Sequence, residues 1–342
     1  MKNQRTSRFY SLVAALLMAM LLAQHASAAG ALVSRKVCVW DPVGNHGPVM
    51  AFFGDLVPTA IRWGLDLDFL PYADENKAAQ DLREGKCSMA IVTAIEARAF
   101  SKFAGTLDAI GGITSERGLH MTLATLTRKR AGELMSDGEF EVVAAMPVGS
   151  MYAYVRDRRI TSIETMRSKK IASLNNDIQT RMLAKLADAT AVPETLSSFA
   201  NSFNQGRLDV VIMPALAYNT FELYKGLGET GGIIEDRMFY GMLEIVARKS
   251  EFDADFGDKM RHYAVNRLKA MLDMIAEAES TIPKHYWIKT TPENKAQLEA
   301  FFKDIRLTLM VEDKFDKRTL SMLYKIRCNT MPERAECSAP GQ

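Results

Sequence analysis

An eleven-residue motif is present in this chain in two similar copies and constrains the fold more than any other feature. The copies read Glu-Gly-Lys-Cys-Ser-Met-Ala-Ile-Val-Thr-Ala at residues 84–94 and Gln-Gly-Arg-Leu-Asp-Val-Val-Ile-Met-Pro-Ala at residues 205–215. In each copy the glycine suits the left-handed position that ends a helix, and the apolar run suits a parallel strand buried on both faces. One such unit in each half of the chain predicts two similar α/β lobes. Chance similarity of two helix–glycine–strand units is the alternative.

The first 28 residues have the pattern of a secretory signal peptide. Three basic residues within the first eight positions precede an apolar run at residues 12–23, and Ala-Ser-Ala follows at residues 26–28. Their removal takes three positive charges from a formal net charge of +2, which leaves about −1 and no basic excess for nucleic acid. We therefore expect a soluble periplasmic protein, with an uncleaved membrane anchor as the alternative.

All four cysteines lie beyond the predicted signal peptide. An even number of cysteines in an oxidising compartment favours disulfide bonds. Cys328 and Cys337 bracket a short polar loop, and we predict that they pair. The remaining pair is then Cys38, in the first predicted strand, with Cys87, which precedes the strand of the first copy. Two buried free thiols are the alternative for that second pair.

The order of the predicted elements favours a parallel α/β lobe at the start of the chain. Strands are predicted at residues 35–42, 65–72 and in the first copy. A helix at residues 46–63 should be divided by Pro58, and Asp74 is the predicted N-cap of the helix that follows.

The later elements suggest a second lobe and a helical tail. A turn-and-strand region at 105–114 precedes strands predicted at 119–127, 141–146, 151–156, 170–174 and 239–247. Helices are predicted after Ser162, at 177–187, and in the tail at 257–280, 292–311 and 316–327. We place the first lobe at residues 29–145, the second at 146–245, and a tail at 246–342 that packs back on the first lobe and the hinge. Two lobes joined by two crossings can close on a ligand.

Two segments carry a resemblance to a known family. Residues 160–171 and 203–209 resemble the second lobe of TRAP-type, DctP-like, periplasmic solute-binding proteins. The whole mature chain is more similar to the AdeT-type solute-binding proteins. The segments that match these AdeT-type proteins lie at residues 38–41, 71–75, 107–111, 147–150, 222–228, 286–287, 306–309 and 335–337. The resemblance implies a type II periplasmic-binding-protein fold.

One position departs from the TRAP-type pattern. The resemblance implies an arginine directly after the Lys-Ile at residues 170–171, where it would clamp a substrate carboxylate. This chain has Ala172 instead. A methyl group does not replace a planar, bidentate guanidinium, so the resemblance does not carry over the usual organic-acid substrate.

Candidate ligand-binding residues follow from the rule that ligands of open α/β lobes bind at the carboxyl ends of the strands. In the first lobe the rule nominates Asp41, Asn45, His46, Tyr72, Thr93 and Glu96. In the second lobe it nominates Asn175, Asn176, Asp177, Pro214 and Tyr218. Tyr152 and Tyr154 lie on the crossing strand, and we expect only one of them to face the cleft.

Several of these residues have a structural explanation as well. Asp41 and Asp177 suit turn or N-cap roles, and Glu96 in a first helical turn favours the helix dipole without any ligand. If Asp41, Glu96 and Asp177 line one cleft, the site is acidic and suits a cation such as an amine. Helix N-termini pointing into the cleft would favour an anion instead, and the sequence leaves both open.

The sequence contains no nucleophile elbow, zinc-protease motif, phosphate loop or dinucleotide fingerprint, so we expect no enzyme, cofactor or metal site. We expect a monomer that captures a small molecule between its lobes and delivers it to an inner-membrane, TRAP-like transporter permease. The resemblance also implies an alternative, because AdeT-type proteins have been linked to RND-type efflux and aminoglycoside resistance. That alternative is a periplasmic accessory of an efflux pump.

Overall fold

The computed structural model of the chain describes residues 31–338, so the predicted signal peptide lies outside the described residues. The strands are β1 (Val33–Trp40), β2 (Leu65–Tyr72), β3 (Met89–Thr93), β4 (Ser136–Asp137), β5 (Phe140–Val155), β6 (Lys170–Leu174), β7 (Thr190–Glu194), β8 (Val210–Pro214), β9 (Gly232–Ile234), β10 (Phe239–Arg248) and β11 (Trp287–Ile288).

The helices alternate with the strands and then form the end of the chain. They are α1 (Pro48–Gly54), α2 (Val57–Arg62), α3 (Glu75–Arg83), α4 (Ala94–Ala97), α5 (Glu116–Leu126), α6 (Lys129–Leu134), α7 (Ile163–Met166), α8 (Ile178–Leu186), α9 (Phe199–Asn204), α10 (Ala217–Thr220), α11 (Tyr224–Leu227), α12 (Phe256–Ser280), α13 (Pro292–Val311) and α14 (Lys317–Thr330). Among residues 31–338, no helix is both long and apolar enough to cross a membrane.

The main strands form one sheet in the order β2-β1-β3-β10-β5-β8-β6-β7. At one end β1 pairs in parallel with β2 and β3, and at the other end β6 pairs in parallel with β7 and β8. The antiparallel strands β10 and β5 lie between these two groups and join them. The fold is therefore the predicted one, with two α/β lobes, crossing strands and a helical end.

Both copies of the eleven-residue motif adopt the predicted structure. Helices α3 and α9 end just before Gly85 and Gly206, whose φ angles of +74° and +78° lie in the left-handed region that favours glycine. Strands β3 and β8 follow. Each has a parallel partner on one side and an antiparallel crossing strand on the other. The two copies therefore occupy equivalent places in the two lobes.

The strand predicted at residues 119–127 is wrong, because these residues lie in helix α5. The Ser115 side chain accepts a hydrogen bond from the Gly118 amide and so begins the helix. Leu119 and Leu123 are buried on one face of that helix. Their spacing of four residues is helical, and it decides against a strand.

Three further differences concern the strands. Residues 105–114, predicted to include a strand, lie in a three-ten turn at Ala104–Thr106 and in further turns. The strands predicted at 141–146 and 151–156 are one strand, β5, which spans both lobes. Strand β7 was not predicted. It contains Pro193, which an edge strand tolerates because no ladder hydrogen bond is lost there.

The helical tail contacts both lobes. Helix α12 packs along β5 and against α5, and α14 also packs against α5. Helix α13 packs against α8 of the second lobe, and the Asn294 side chain donates a hydrogen bond to the Thr161 carbonyl. The tail therefore contacts the second lobe as well. The prediction had placed it only on the first lobe and the hinge.

The structure contains both predicted disulfide bonds. Cys38 in β1 pairs with Cys87, and Cys328 in α14 pairs with Cys337, with Cα–Cα distances of 5.9 and 5.3 Å. The second bond lies beside Glu336, whose carboxylate forms an ion pair with the buried Arg306 at 2.9 Å. It therefore ties the end of the described chain to α14 and α13.

Candidate ligand-binding cleft

A cavity of about 140 Å3 lies between the two lobes. Its wall includes the last residue of each of four strands: Trp40 of β1, Thr93 of β3, Leu174 of β6 and Pro214 of β8. The carboxyl ends of the parallel strands of both lobes therefore meet at one cavity, which is where ligands bind in open α/β sheets.

Most of the cavity wall is apolar. The apolar lining residues are Trp40, Pro42, Pro48, Val49, Ile95, Val148, Met151, Ala172, Leu174, Leu196, Ile212, Met213, Pro214, Leu216, Ala217, Phe221, Phe239, Gly241 and Met242. The polar lining residues are Thr93, Asp108, Asp177, Gln179, Thr180 and Thr220. Among residues 31–338, no arginine, lysine or histidine lines the cavity. Ala172, which stands where the resemblance implied a clamping arginine, forms part of the wall.

A second cavity of about 90 Å3 adjoins the first and reaches the tail helix α12. The two cavities share Pro48, Val49, Val148 and Leu216 in their walls. Every residue that lines the second cavity is apolar or glycine, including Met271 on α12. The cleft therefore continues as an apolar extension beneath the crossing strand β5.

Backbone amides that face the cleft from the first lobe are occupied by carboxylates of the chain itself. The buried Asp41 accepts hydrogen bonds from the amides of Val43, Val49 and Met50, at 2.8 to 2.9 Å, and so caps α1. Glu75 accepts from both the amide and the hydroxyl of Thr93, at 3.2 and 2.7 Å. These amides are the groups that an anionic ligand would otherwise use.

The second lobe has the same arrangement at the start of α8. One carboxylate oxygen of Asp177 accepts the Thr180 amide at 3.0 Å and caps the helix. The positive end of the α8 dipole is thereby offset by a carboxylate of the chain. Helix N-termini in this cleft are consequently not free anion sites.

The side chains of Gln179 and Asn176 join the two lobes by hydrogen bonds at the cleft. The Gln179 side chain accepts from the Ile110 amide at 2.8 Å and donates to the Asp108 carbonyl at 3.3 Å. The Asn176 amide group donates to Asn76 at 3.2 Å and to Glu96 at 3.0 Å. Asn176 has a φ angle of +62°, a conformation that asparagine tolerates better than most residues. These contacts connect the two lobes directly across the cleft.

Three buried or partly buried acidic groups lie in or near the cavity wall: Asp108 in the wall itself, and Glu75 and Glu244 outside its lining. Burial raises the pKa of Asp108 to about 6, while Arg98, at 3.4 Å, opposes that rise. Burial raises the pKa of Glu244 well above its usual value, and neither of its carboxyl oxygens has a hydrogen-bond partner within residues 31–338. Burial also raises the pKa of Glu75, to about 7. Within the described residues, no group of three or more His, Cys, Asp or Glu could hold a metal ion.

Three of the predicted site residues line the cavity: Thr93, Asp177 and Pro214. Asn176 and Glu96 are brought together across the lobes, and Glu96 also lies 3.8 Å from Arg83. The acidic residues that line the cavity are therefore not the three that were considered from the sequence, Asp41, Glu96 and Asp177. Asp177 and Asp108 line the cavity, whereas Asp41 is buried beneath it as a cap.

The other predicted residues lie elsewhere. The Tyr72 hydroxyl donates to Asp81 within the first lobe, at 2.8 Å. Asn45 and His46 are exposed in the loop before α1, and Asn175 is exposed beside a separate shallow surface pocket. Tyr218 is buried beside Tyr224 and Tyr286, in the core of the second lobe.

The expectation that only one of Tyr152 and Tyr154 faces the core is wrong. Both are buried in the second-lobe core, and neither lines the cavity. Tyr152 packs edge-on against Trp287 and donates to Glu279, and Tyr154 donates to the Pro214 carbonyl. Residues two apart on a strand point to the same face, so Ala153, and not one of the tyrosines, takes the other face.

Three polar residues of the cavity wall, Asp108, Gln179 and Thr180, are not among the residues predicted from the sequence. Gln179 and Thr180 follow the predicted cap Asp177 within one turn, so the start of α8 was a usable signal for them. Asp108 lies in the segment that was assigned to a turn and strand. Its position in the wall depends on how that segment folds between the lobes, which no local pattern shows.

Comparison with protein families gives one match that covers most of the chain. The family model described as "Solute-binding protein AdeT 1/2" matches residues 56–341. The chain is also similar to the probable solute-binding protein AdeT1 of Acinetobacter baumannii, with 31% identity over 300 residues, 88% of this chain and 99% of the relative. Similarity to the probable solute-binding protein AdeT2 of the same organism is lower, with 22% identity over 233 residues, 68% of this chain and 98% of that protein.

Solved structures share the fold at low identity. A TRAP periplasmic solute binding protein from Haemophilus influenzae RdAW with bound L-gulonate has a TM-score of 0.70 and 11% identity, covering 86% of this chain and 99% of its own. One from Ralstonia eutropha H16 with bound (S)-2-acetolactate has a TM-score of 0.68 and 13% identity, covering 85% and 99%. At such identities the likeness establishes the fold and not the ligand.

Proposed function

Because the chain belongs to the AdeT 1/2 family of solute-binding proteins, we propose that it captures a small molecule between its two lobes in the periplasm and delivers it to an inner-membrane transporter. The observation that carries this proposal is the cavity between the lobes, lined by the carboxyl ends of strands from both. A mostly apolar wall with a few polar groups is typical of small-molecule pockets.

The mechanism is lobe closure without covalent chemistry. Strands β5 and β10 connect the lobes, so bending there would open and close the cleft. Closure buries the ligand and forms the hydrogen bonds of Gln179 and Asn176 across the gap. A ligand that contacts both walls stabilises the closed form by its differential affinity for that form.

The periplasmic location and the transporter partner rest on two supports. The first is the signal-peptide pattern of the first 28 residues, and the second is the fold shared with TRAP periplasmic solute binding proteins. We propose a two-component TRAP-like permease as the partner, and a monomer as the acting form. Cross-linking in intact cells, followed by identification of the captured membrane protein, tests the partner. Recovery of an efflux pump and no permease would contradict it.

The binding function is tested by ligand screening of the mature protein against organic acids, amines and aminoglycosides. A true ligand should raise the melting temperature and reduce the radius of gyration in solution scattering. Ala172→Trp, which fills the cavity, should abolish both effects. Ala276→Trp, on the exposed face of α12, is the matched control and should retain them. Equal responses in the two variants would place binding outside the cleft.

A further inference from the structure

The cavity wall carries a carboxylate, that of Asp177, which no basic side chain among residues 31–338 pairs with. Asp108 and Asp177 both line it and are 4% and 9% exposed. Asp108 has Arg98 as an ion-pair partner at 3.4 Å. Asp177 has no ion pair within residues 31–338, and only one of its oxygens is engaged, by the Thr180 amide. A positively charged group in the cavity would balance it.

A polar group beside Asp177 also lacks a partner. Thr180 is 5% exposed and lines the cavity, and its hydroxyl forms no hydrogen bond with the other described residues. A ligand group within reach of this hydroxyl would gain a hydrogen bond. Asp177 and Thr180 together form one polar spot on a wall that is otherwise mostly apolar.

The rest of the cavity suits a small hydrocarbon group. Its volume of about 140 Å3 is close to that of an engineered cavity of roughly 150 Å3 in another protein, which binds benzene. Trp40, Phe221 and Phe239 supply aromatic surface to the wall. Aromatic faces attract organic cations as well as hydrocarbon, so they do not oppose a charged head group.

Anionic ligands are disfavoured by the same groups. No cationic side chain among residues 31–338 lines the cavity. The amides of Val49, Met50, Thr93 and Thr180 already bond to carboxylates of the chain. A ligand carboxylate would meet repulsion from Asp177 without a compensating donor.

We propose that the cleft binds a small, largely apolar amine, with its ammonium group at Asp177 and Thr180 and its hydrocarbon part against the apolar wall. This inference rests on the proposed solute-binding function and names the class of solute. Such an amine carries a positive charge, whereas an organic acid carries a negative one, so the two classes of ligand can be distinguished by the charge that the cleft prefers.

The test compares three probes that share one ring and differ in the head group: benzylamine, benzyl alcohol and benzoate. Titration calorimetry on the mature protein should give the tightest binding for benzylamine. We expect it to be about 10-fold tighter than benzyl alcohol and about 100-fold tighter than benzoate, because the charge interaction with Asp177 reverses sign. Benzyl alcohol binding as tightly as benzylamine would overturn the claim of charge recognition.

Two substitutions sharpen the test. Asp177→Asn keeps an N-cap acceptor and removes the charge, so it should cost benzylamine about 10-fold in affinity and leave benzyl alcohol unchanged. Ala172→Arg places a guanidinium in the wall and should reverse the preference in favour of benzoate. Thr190→Arg, exposed on the neighbouring strand β7, is the matched control and should keep the order of the natural protein.

The outcomes separate this inference from the function on which it rests. Tighter binding of benzoate than of benzylamine by the natural protein would overturn the amine class and leave the solute-binding function intact. If none of the three probes binds and native mass spectrometry finds no bound small molecule, both the amine class and the solute-binding function fail.

Discussion

Gln179 joins the two lobes by two hydrogen bonds, and its replacement should open the cleft. Its side chain accepts from the Ile110 amide at 2.8 Å and donates to the Asp108 carbonyl at 3.3 Å. Each bond contributes about 0.5–1.5 kcal/mol net, and the Ile110 amide would lose its partner only in the closed form. Gln179→Ala should therefore shift the closed-to-open equilibrium by about 1–3 kcal/mol, which is a factor of about 5 to 150.

The assay is the distance between spin labels on the two lobes. Cysteines introduced at the exposed positions Asp66 and Lys185 can carry the labels, since the native cysteines are paired. Gln179→Ala should broaden and lengthen the distance distribution. Gln205→Ala is the matched control, because Gln205 is exposed and bonds Asn201 within the second lobe. A Gln179→Ala distribution identical to that of the control would show that these two hydrogen bonds do not set the separation of the lobes.

Three other predictions concern stability. Burial raises the pKa of Glu75 from 4.5 to about 7, so the folded state keeps a proton that the unfolded chain releases between those pH values. The free energy of unfolding should thus fall by up to about 3 kcal/mol as pH rises through that window. Glu75→Gln should make this fall smaller in urea titrations, although Asp108 and Glu244, whose pKa values are also raised by burial, still contribute to it. The exposed Glu229→Gln should leave the fall unchanged, and an unchanged fall in Glu75→Gln would count against the buried carboxyl. Replacing both cysteines of the 38–87 bond with serine should cost about 4 kcal/mol, against about 2.5 kcal/mol for the 328–337 bond, because the first closes the longer loop; the reverse order in calorimetry would contradict that model. Asp41→Ala should lower the free energy of unfolding by about 2 kcal/mol in urea titrations, and Asp41→Asn should lower it less, since asparagine keeps one acceptor for the amides at the start of α1. Equal losses in the two variants would show that these hydrogen bonds are not the source of the stability that Asp41 contributes.

The overall fold could be predicted because its signals are local and repeated. Glycine at Gly85 and Gly206 ends a helix, and the apolar run after each is typical of a strand buried on both faces. Asp74 and Ser162 were recognisable as caps by their positions before apolar-periodic segments. These features need no knowledge of distant residues.

The candidate site was harder to predict because it depends on contacts between segments far apart in sequence. Gln179 meets Ile110 across 69 residues, and Asn176 meets Glu96 across 80. Asp41 looked like a ligand residue or a turn residue, and only the fold shows that three amides use its carboxylate. A strand-end rule finds the edge of the sheet and does not tell which side chains reach the cavity.

The proposed function requires that a small molecule occupies the cleft between the lobes. Native mass spectrometry of the protein, purified from cells without denaturation, tests it directly. We expect an added mass on the natural protein that is released on unfolding, and we expect it to be absent from Ala172→Trp, whose indole fills the cavity. Retention of the same added mass by Ala172→Trp, or no added mass on the natural protein, would contradict binding in the cleft.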